Sequence, residues 1–259
     1  MDRSFPHIGV RSTRGRPADR GVSAFARRYA DALAVGDAVA ADRVVDAALA
    51  AAIEPVAIQS LVMAPAMVKI GELLTARRIS VDDEQRATSM CERALIRLFD
   101  VMIAGSAGVG SRERVLLAAV EGQRHVLGLR MVADVLEAAG YDVVNLGEDV
   151  PADELRDIVA RDRPAVVGLA VGTAANVRFL ADAVWAVHSV APDTRIMLGG
   201  RGVPAAFWDV GYPRVATTME VVEVVEDLLV APAQPLPPVV DRLRDPWSDR
   251  AQLSLAELV

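Results

Sequence analysis

An apolar run over residues 115–120 is followed at once by a loop-like stretch, residues 121–128, of sequence Glu-Gly-Gln-Arg-His-Val-Leu-Gly. This arrangement predicts a buried parallel strand whose carboxyl end leads through a loop into a helix, which is where open α/β sheets bind their ligands. His125 lies in this loop, and Gly128 follows three residues later. A lone histidine in a helix-forming region is usually structural, but its place in the loop makes His125 a candidate ligand.

The alternation of strand and helix continues from this run to about residue 230. It predicts a parallel sheet with helices on both faces. The predicted strands are residues 115–120, 142–146, 165–171, 195–198 and a short fifth at 214–216. The predicted helices are residues 127–139, 152–161, 176–190 and 219–230.

Before residue 105 the pattern is helical throughout. Ser23, Asp37 and Ser80 are predicted N-caps, and Asp83 supports the first turn after Ser80. Pro65 either kinks the third helix or starts a new segment. The predicted helices are residues 24–35, 38–52, 55–74 and 80–103. Four amphipathic helices joined by short turns predict a helix bundle.

These patterns predict an α/β protein in five parts, with a Gly- and Ser-rich link as the domain boundary. The parts are an Arg-rich disordered arm (1–22), a four-helix bundle (23–104), the link (105–112), a parallel-sheet domain (113–230) and a Pro-rich C-terminal tail (231–259).

Charge and cysteine content narrow the function classes. The formal net charge of -7 argues against general nucleic-acid binding by the body of the protein, although seven arginines fall within residues 1–28. The single cysteine, Cys91, excludes an intramolecular disulfide and a cysteine-built zinc site. No apolar run reaches membrane-spanning length and no signal peptide begins the chain, so we expect a soluble cytoplasmic protein.

His125, Gly128 and the pair Gly199-Gly200 resemble the motif of cobalamin-binding domains. The family pattern is Asp-x-His-x-x-Gly, then Ser-x-Leu, then Gly-Gly, and residues 113–230 cover it. Here Gln123 stands in place of the Asp, and Ala170-Val171-Gly172 stands in place of Ser-x-Leu. The resemblance implies a flavodoxin-like, Rossmann-type domain that binds cobalamin.

The resemblance also implies roles for individual residues. His125 would supply the lower nitrogen ligand to the cobalt of a cobalamin that has released its own base. Small residues would leave a slot open for the displaced nucleotide tail. The predicted contacts are His125, Gly128, Gln123, Ala170, Gly172, Thr173, Gly199 and Gly200, with Gly202 as a further small residue of the slot.

Gln123 changes what is expected of the histidine. A carboxylate at this position accepts the other ring N–H and raises the basicity of the imidazole, whereas a glutamine carbonyl can orient the ring without adding charge. We therefore expect a weaker, more easily dissociated bond from His125 to cobalt, with Glu121 as a substitute partner. The alternative is an unliganded surface histidine in a domain that has lost its cofactor.

Residues 70–74 and 79–85 resemble the helical cap of light-sensing, MerR-type cobalamin-dependent transcription regulators. In that family a Trp, followed after nine residues by Glu-His, faces the upper side of the corrin. Here those positions are Leu74, Glu84 and Gln85. Because residue 85 is Gln85 and not a histidine, it cannot bind cobalt from above after light has removed the upper ligand. We therefore expect a changed upper ligand, a second chromophore or a partner at that face. The alternative is that Leu74 is bundle core and Glu84 a solvated or capping carboxylate.

The two resemblances imply a sensory or regulatory protein, of which a photoreceptor is one form, with adenosylcobalamin or methylcobalamin between the cap and the sheet domain. Too few residues precede the first helix for a DNA-binding module, so we expect signalling through a protein partner and no direct DNA binding. A homo-oligomer is left open. The alternative function is a corrinoid methyl carrier of a methyltransferase system. Either would be a sensor or carrier rather than a stand-alone catalyst, and the small subunit of a mutase is disfavoured.

Overall fold

The computed structural model describes residues 17–104, 112–203, 212–236 and 240. The chain divides into two compact units, Met1–Ala94 and Leu95–Val259. The predicted arm up to residue 16, residues 105–111 of the predicted link and residues 241–259 of the predicted tail lie outside the described residues.

The first unit is helical, as predicted. Its helices are α1 Pro17–Ala34, α2 Ala38–Ala50, α3 Pro55–Ile58, α4 Ala64–Thr75 and α5 Val81–Ala104, the last of which continues past the boundary between the units. The buried side chains that form its core include Tyr29, Leu33, Val45, Ile58, Met63, Ile70 and Cys91. Burial raises the pKa of the Cys91 thiol to about 12, which keeps it protonated and confirms that it is an ordinary buried residue.

Two of the three predicted N-caps, Asp37 and Ser80, are confirmed. The Asp37 side chain accepts a hydrogen bond from the Ala40 amide at 2.9 Å. At the start of α5, the Ser80 hydroxyl accepts from the Asp83 amide while the Asp83 carboxylate accepts from the Ser80 amide. The Ser80 hydroxyl and the Ser80 amide both donate to the Asp83 carboxylate, and these bonds lower the pKa of Asp83, so the carboxylate stays charged at the positive end of the helix.

The predicted N-cap at Ser23 is wrong. Helix α1 begins at Pro17, so Ser23 lies inside the helix rather than before it. Proline suits the first turn of a helix because its missing N–H has no partner there and its φ angle is already helical. The helix therefore begins at Pro17, six residues before Ser23, and Ser23 does not cap it.

Pro65 produces a local widening instead of a break. A π turn, Gln59–Met63, joins α3 to α4, and Pro65 follows within the first turn of α4. Because proline has no N–H to donate to the carbonyl four residues earlier, a wider turn at that point accommodates it while the helical stretch continues.

By length and composition alone, one helical stretch of the described residues, Pro55–Thr75, could cross a membrane. Core helices of globular proteins meet the same criterion. One face of this stretch is at most 1% exposed within the helical unit, as the side chains Ile58, Val62, Met63, Ala66 and Ile70 show. This face belongs to the core of the helical unit. The stretch qualifies the expectation that no apolar run is long enough to span a membrane.

The second unit contains a five-stranded parallel sheet, which confirms the predicted fold class. The strands are β1 Arg114–Ala119, β2 Asp142–Asn145, β3 Val166–Ala170, β4 Arg195–Gly199 and β5 Arg214–Val215, in the order β2-β1-β3-β4-β5. This is the flavodoxin-like order. The helices of this unit are α6 Leu127–Ala138, α7 Ala152–Asp162, α8 Val177–Val190 and α9 Val221–Val230.

The register of the sheet places the carboxyl ends of three strands side by side. Ala119 of β1 is level with Ala170 of β3, and Ala170 is level with Gly199 of β4. Strands β1 and β3 are buried along most of their length, as the continuous apolar runs predict for central parallel strands. Loops that leave these strands therefore meet at one edge of the sheet.

The first part of the C-terminal tail is attached to the sheet. The buried carboxamide of Gln234 donates to the Ile196 carbonyl and accepts from the Ile196 amide. Tyr212 donates to the Pro235 carbonyl, and its hydroxyl lies 2.6 Å from Nε2 of His188. Gln234 thus forms the hydrogen bonds to β4 that a neighbouring strand would form. It does so at Ile196, before the two residues of β4 that pair with the short strand β5.

Leu116 tests the apolar core of the sheet. We expect Leu116→Ala to lower the free energy of unfolding by about 2–5 kcal/mol, because the side chain is fully buried in the core and its loss leaves a cavity. Val230→Ala is the matched control, since Val230 is 87% exposed, and it should change stability by less than about 0.5 kcal/mol. All three tryptophans fall within residues 95–259, so urea unfolding followed by tryptophan fluorescence reports on this unit. Equal losses in the two variants would contradict the assignment.

Candidate functional site

The candidate site is the edge of the sheet where β1, β3 and β4 end. Three segments lie there: residues 120–126 after β1, residues 171–176 after β3 and residues 200–203 after β4. The main chain joins them directly, because the Val120 amide donates to the Ala170 carbonyl and the Val171 amide donates to the Gly199 carbonyl. These bonds extend the sheet by one residue beyond its strands.

His125 lies in the first of these segments, two residues before α6 begins at Leu127. It is exposed, and within the described parts of the chain no group forms a hydrogen bond with its ring. Gly128 lies in the first turn of α6, and a Cβ added there would meet no heavy atom of the described residues within 4 Å beyond the adjoining backbone of its own helix. The imidazole is therefore accessible to a ligand, as the sequence predicts for a loop at this position.

Gln123 is tied to main-chain groups. Its side chain is buried, and the residue is 3% exposed. Its Nε2 donates to the His125 carbonyl at 2.9 Å, and its Oε1 accepts from the Gly172 amide at 2.9 Å. The side chain thus holds the backbone of His125 and the end of β3, rather than the imidazole that we expected it to orient.

Two further side chains hold the same loop. Asn176, which is 9% exposed, donates from Nδ2 to the Glu121 carbonyl at 3.0 Å, and its Oδ1 accepts from the Thr173 hydroxyl. Asp149 accepts from the Gly122 amide at 2.6 Å. Gly122 has a φ of +77°, and a Cβ there would lie 2.7 Å from Asn176 Nδ2, so both the backbone angle and the contact require glycine.

Sequence reasoning missed Asn176 and Asp149. Asn176 was predicted as the start of a helix, and it does precede α8. Asp149 carried no signal beyond its place after β2, because the residue that it bonds lies 27 positions away. The exposed side chain of Glu121 was an expected partner of the histidine, but the bond of Glu121 on this loop comes from its main-chain carbonyl.

The small residues have two different roles. A Cβ on Gly172 would lie 2.5 Å from Gln123 Oε1, and one on Gly202 would lie 2.5 Å from the Thr173 nitrogen. Gly200, with a φ of +97°, packs in the same way against the Val171 carbonyl. These three glycines allow close contact between the loops, and so they do not leave a slot open as the sequence analysis expected.

Gly199 is different, because apart from its own backbone and its two chain neighbours no heavy atom of the described residues lies within 4 Å of the position where its Cβ would stand. Ala170 is half-buried beside it in the sheet, and Thr173 is exposed at the end of β3. Among the glycines of the described strand ends and of the first turn of α6, an added side chain would therefore find room at Gly199 and Gly128.

The three site residues predicted in the helical unit lie on neighbouring ends of two helices. Leu74 is half-buried in the last turn of α4, and Glu84 and Gln85 lie at the start of α5. The Glu84 carboxylate accepts from the Thr88 hydroxyl at 3.1 Å, one turn along the same helix. Gln85 is exposed. Their predicted contact with the upper side of a corrin stays a prediction.

The donor set fits one kind of metal centre. In the described parts of the chain no group of three or more His, Cys, Asp or Glu side chains could hold a metal ion. A bare metal ion needs three or four protein ligands, whereas the cobalt of a corrinoid already has four ring nitrogens and needs one imidazole at most. An exposed, unbonded histidine beside a position with room for a ligand therefore fits a corrinoid.

The two roles of the glycines can be separated by stability. Gly202→Ala should lower the free energy of unfolding by about 1–3 kcal/mol, because the new methyl group would overlap the Thr173 main chain, which cannot rotate away. Gly199→Ala should change it by less than about 0.5 kcal/mol. Urea unfolding by tryptophan fluorescence measures both. A Gly199→Ala variant as unstable as Gly202→Ala would contradict the open position.

Comparisons with known proteins identify the family of both units of the chain. Residues 113–221 match a family model described as a B12 binding domain, and residues 25–98 match a second model with the same description. The first match covers β1 to the start of α9, and the second covers most of the helical unit. Together they span more than two thirds of the chain.

Curated relatives include two kinds of protein. The chain is 31% identical over 159 residues to the HTH-type transcriptional repressor CarH of Myxococcus xanthus, which is 59% of this chain and 52% of the repressor. It is 28% identical over 127 residues to the trimethylamine corrinoid protein of Methanosarcina barkeri, which is 49% of this chain and 58% of that protein. The chain thus spans about half the length of the curated relatives it matches.

A solved structure supports the fold. The monomethylamine corrinoid protein of Methanosarcina barkeri is similar with a TM-score of 0.66, at 17% identity, over 81% of this chain and 99% of that chain. At this identity the likeness concerns the fold alone. The two family matches, in a helical unit followed by a flavodoxin-like sheet, show that this chain belongs to the B12-binding domain proteins.

Proposed function

We propose that this chain is a cobalamin-dependent sensory protein in which His125 supplies the lower ligand of cobalt. The observation that carries the proposal is the exposed imidazole of His125, without a hydrogen bond among the described residues, on a loop tied to both neighbouring strands. An exposed ring without a protein hydrogen bond has its nitrogens available to a ligand.

The surrounding residues would bind and orient the cofactor. Gly199 and Gly128 provide positions without neighbouring atoms among the described residues, where a nucleotide tail or corrin side chain could enter. Gln123 would fix the backbone on which the imidazole stands. When bound, a corrinoid supplies a cobalt–carbon bond that light can break or that a methyl acceptor can attack.

We further propose that the His125–cobalt bond is easily dissociated. A carboxylate that accepts the second ring N–H makes a histidine a stronger ligand. No carboxylate in the described parts of the chain bonds the His125 ring, and Gln123 is occupied with main-chain groups. A labile lower ligand suits a sensor, because the state of the cobalt can then alter the loop that carries the histidine.

Signalling would pass to a protein partner or through self-association. The stretch of 159 residues that resembles the CarH repressor supports a regulatory role, while Leu74 and Gln85 depart from the light-sensing pattern at the upper face. A cytoplasmic location is part of this proposal, and the single, buried Cys91 is consistent with it.

A corrinoid methyl carrier is the second candidate. The similarity to the trimethylamine corrinoid protein favours it, since that relative is also matched over about half of this chain. In this case the same histidine would hold the cobalt, and the partner would be a methyltransferase. The two functions share the lower face of the site and differ in what happens above the corrin.

The lower ligand can be identified directly. Protein labelled with ¹⁵N-histidine and loaded with cobalamin, then reduced to cob(II)alamin, should show a doublet superhyperfine splitting in its electron paramagnetic resonance spectrum. The cofactor's own ¹⁴N base would give a triplet. His125→Ala should lose the doublet and weaken cobalamin binding by at least about tenfold.

Arg124→Ala is the matched control, because Arg124 is the exposed neighbour of His125 on the same loop. It should keep the doublet and the affinity. A triplet in the unaltered protein, or a doublet that survives in His125→Ala, would refute the proposed ligand.

Light and methyl transfer separate the two candidate functions. The protein is loaded in the dark with adenosylcobalamin or methylcobalamin, and its absorption spectrum and size in solution are recorded before and after green light. Loss of the alkyl group together with a change of assembly is the expected result for the sensor. The carrier would be favoured instead if the methyl group passes to an added thiol as fast in the dark as in the light and if the size in solution does not respond to light.

A further inference from the structure

Asp149 has an unusual backbone conformation at the edge of the sheet that carries His125. It lies between β2 and α7 with a φ of +56°, in the left-handed region. Aspartate tolerates this region better than most residues, but the conformation still persists only where the surroundings hold it. Two hydrogen bonds to the loop after β1 provide that hold.

The two bonds of Asp149 are reciprocal. Its Oδ1 accepts from the Gly122 amide at 2.6 Å, and its own amide donates to the Gln123 carbonyl at 3.0 Å. The next residue continues the contact, since the Val150 amide donates to the Ala119 carbonyl at 3.0 Å. The loop after β2 is thus joined to the main chain two and three residues before His125.

These contacts hold the histidine loop from the side of β2. Gln123 and Asn176 hold it from the side of β3. Gly122 lies between these contacts and has a φ angle in the left-handed region. Because glycine has no Cβ, its backbone angles are the least restricted in the loop. The Asp149 carboxylate bonds the amide of this residue and so limits its rotation.

We propose that Asp149 is a positioning residue that keeps the His125 loop in the conformation in which its imidazole can bind cobalt. The inference rests on the proposed function of His125. Asp149 acts through the backbone of Gly122 and Gln123 and needs no contact with the corrinoid. Loss of its carboxylate should leave the cofactor bound while weakening the bond from the imidazole to cobalt.

Three variants separate the bond from the backbone conformation. Asp149→Asn keeps an oxygen acceptor and tolerates the left-handed region, whereas Asp149→Gly keeps the conformation and removes the acceptor. Asp149→Ala loses both. The far-ultraviolet circular dichroism and urea midpoint of each variant show that the fold is retained.

The readout is competition for the cobalt. Unlabelled imidazole is added to ¹⁵N-histidine protein carrying cob(II)alamin, and the concentration that removes half of the ¹⁵N doublet is measured. Asp149→Gly and Asp149→Ala should lower this concentration about fivefold, since the oxygen that accepts the hydrogen bond of the Gly122 amide is lost at an exposed site. Asp149→Asn should stay within about twofold of the unaltered protein.

Two outcomes would overturn the inference: an Asp149→Gly variant that behaves like the unaltered protein, or an Asp149→Asn variant as weak as Asp149→Gly. The proposed function fails separately, and only if the ¹⁵N doublet is absent from the unaltered protein or survives in His125→Ala.

Discussion

The arrangement of the candidate site depends on one side chain, the carboxamide of Gln123. It is buried, and its two ends bond the main chain at the end of β3 and at His125 itself. The bridge can form because the sheet register places the ends of β1 and β3 side by side. If either partner were lost, a buried polar group would be left without a hydrogen bond, at a cost of about 1–3 kcal/mol. Asn176 and Asp149 then hold the same loop from either side, so the backbone under His125 is fixed at several points while its ring is free to bind.

This role explains why a glutamine suits the position. A carboxylate has no proton to donate to the His125 carbonyl, whereas an amide donates at one end and accepts at the other. In the motif that the chain resembles, an acid at this position acts on the imidazole. Here the main chain of the loop is held instead, and no carboxylate among the described residues forms a hydrogen bond with the ring. The glutamine thus fixes the loop without supplying a carboxylate to the ring, which is the physical basis of the labile bond that we propose.

In the helical unit, local chemistry accounts for most of what is observed. Asp37 caps α2, and the reciprocal bonds of Ser80 and Asp83 begin α5 close to the positions that the family resemblance marks as upper-face contacts. The departure from regular geometry, the π turn before Pro65, follows from the missing amide proton of proline. The bond from Thr88 to the Glu84 carboxylate lies within one helix, so this contact serves the helix itself.

The sequence by itself determined the order of helices and strands, the parallel sheet and the loop position of His125, because apolar runs, caps and turn residues act over a few neighbouring positions. The predicted cap at Ser23 was wrong for the same reason. A cap prediction considers only the few residues next to the serine, and the helix begins six residues earlier, at Pro17. Only the tertiary structure decided what Gln123 bonds, which glycines fill contacts and which leave room, and that Asp149 and Asn176 hold the histidine loop. Each of these depends on which strand ends become neighbours. Residues 27 to 55 positions apart meet there, and no local pattern encodes such a pair.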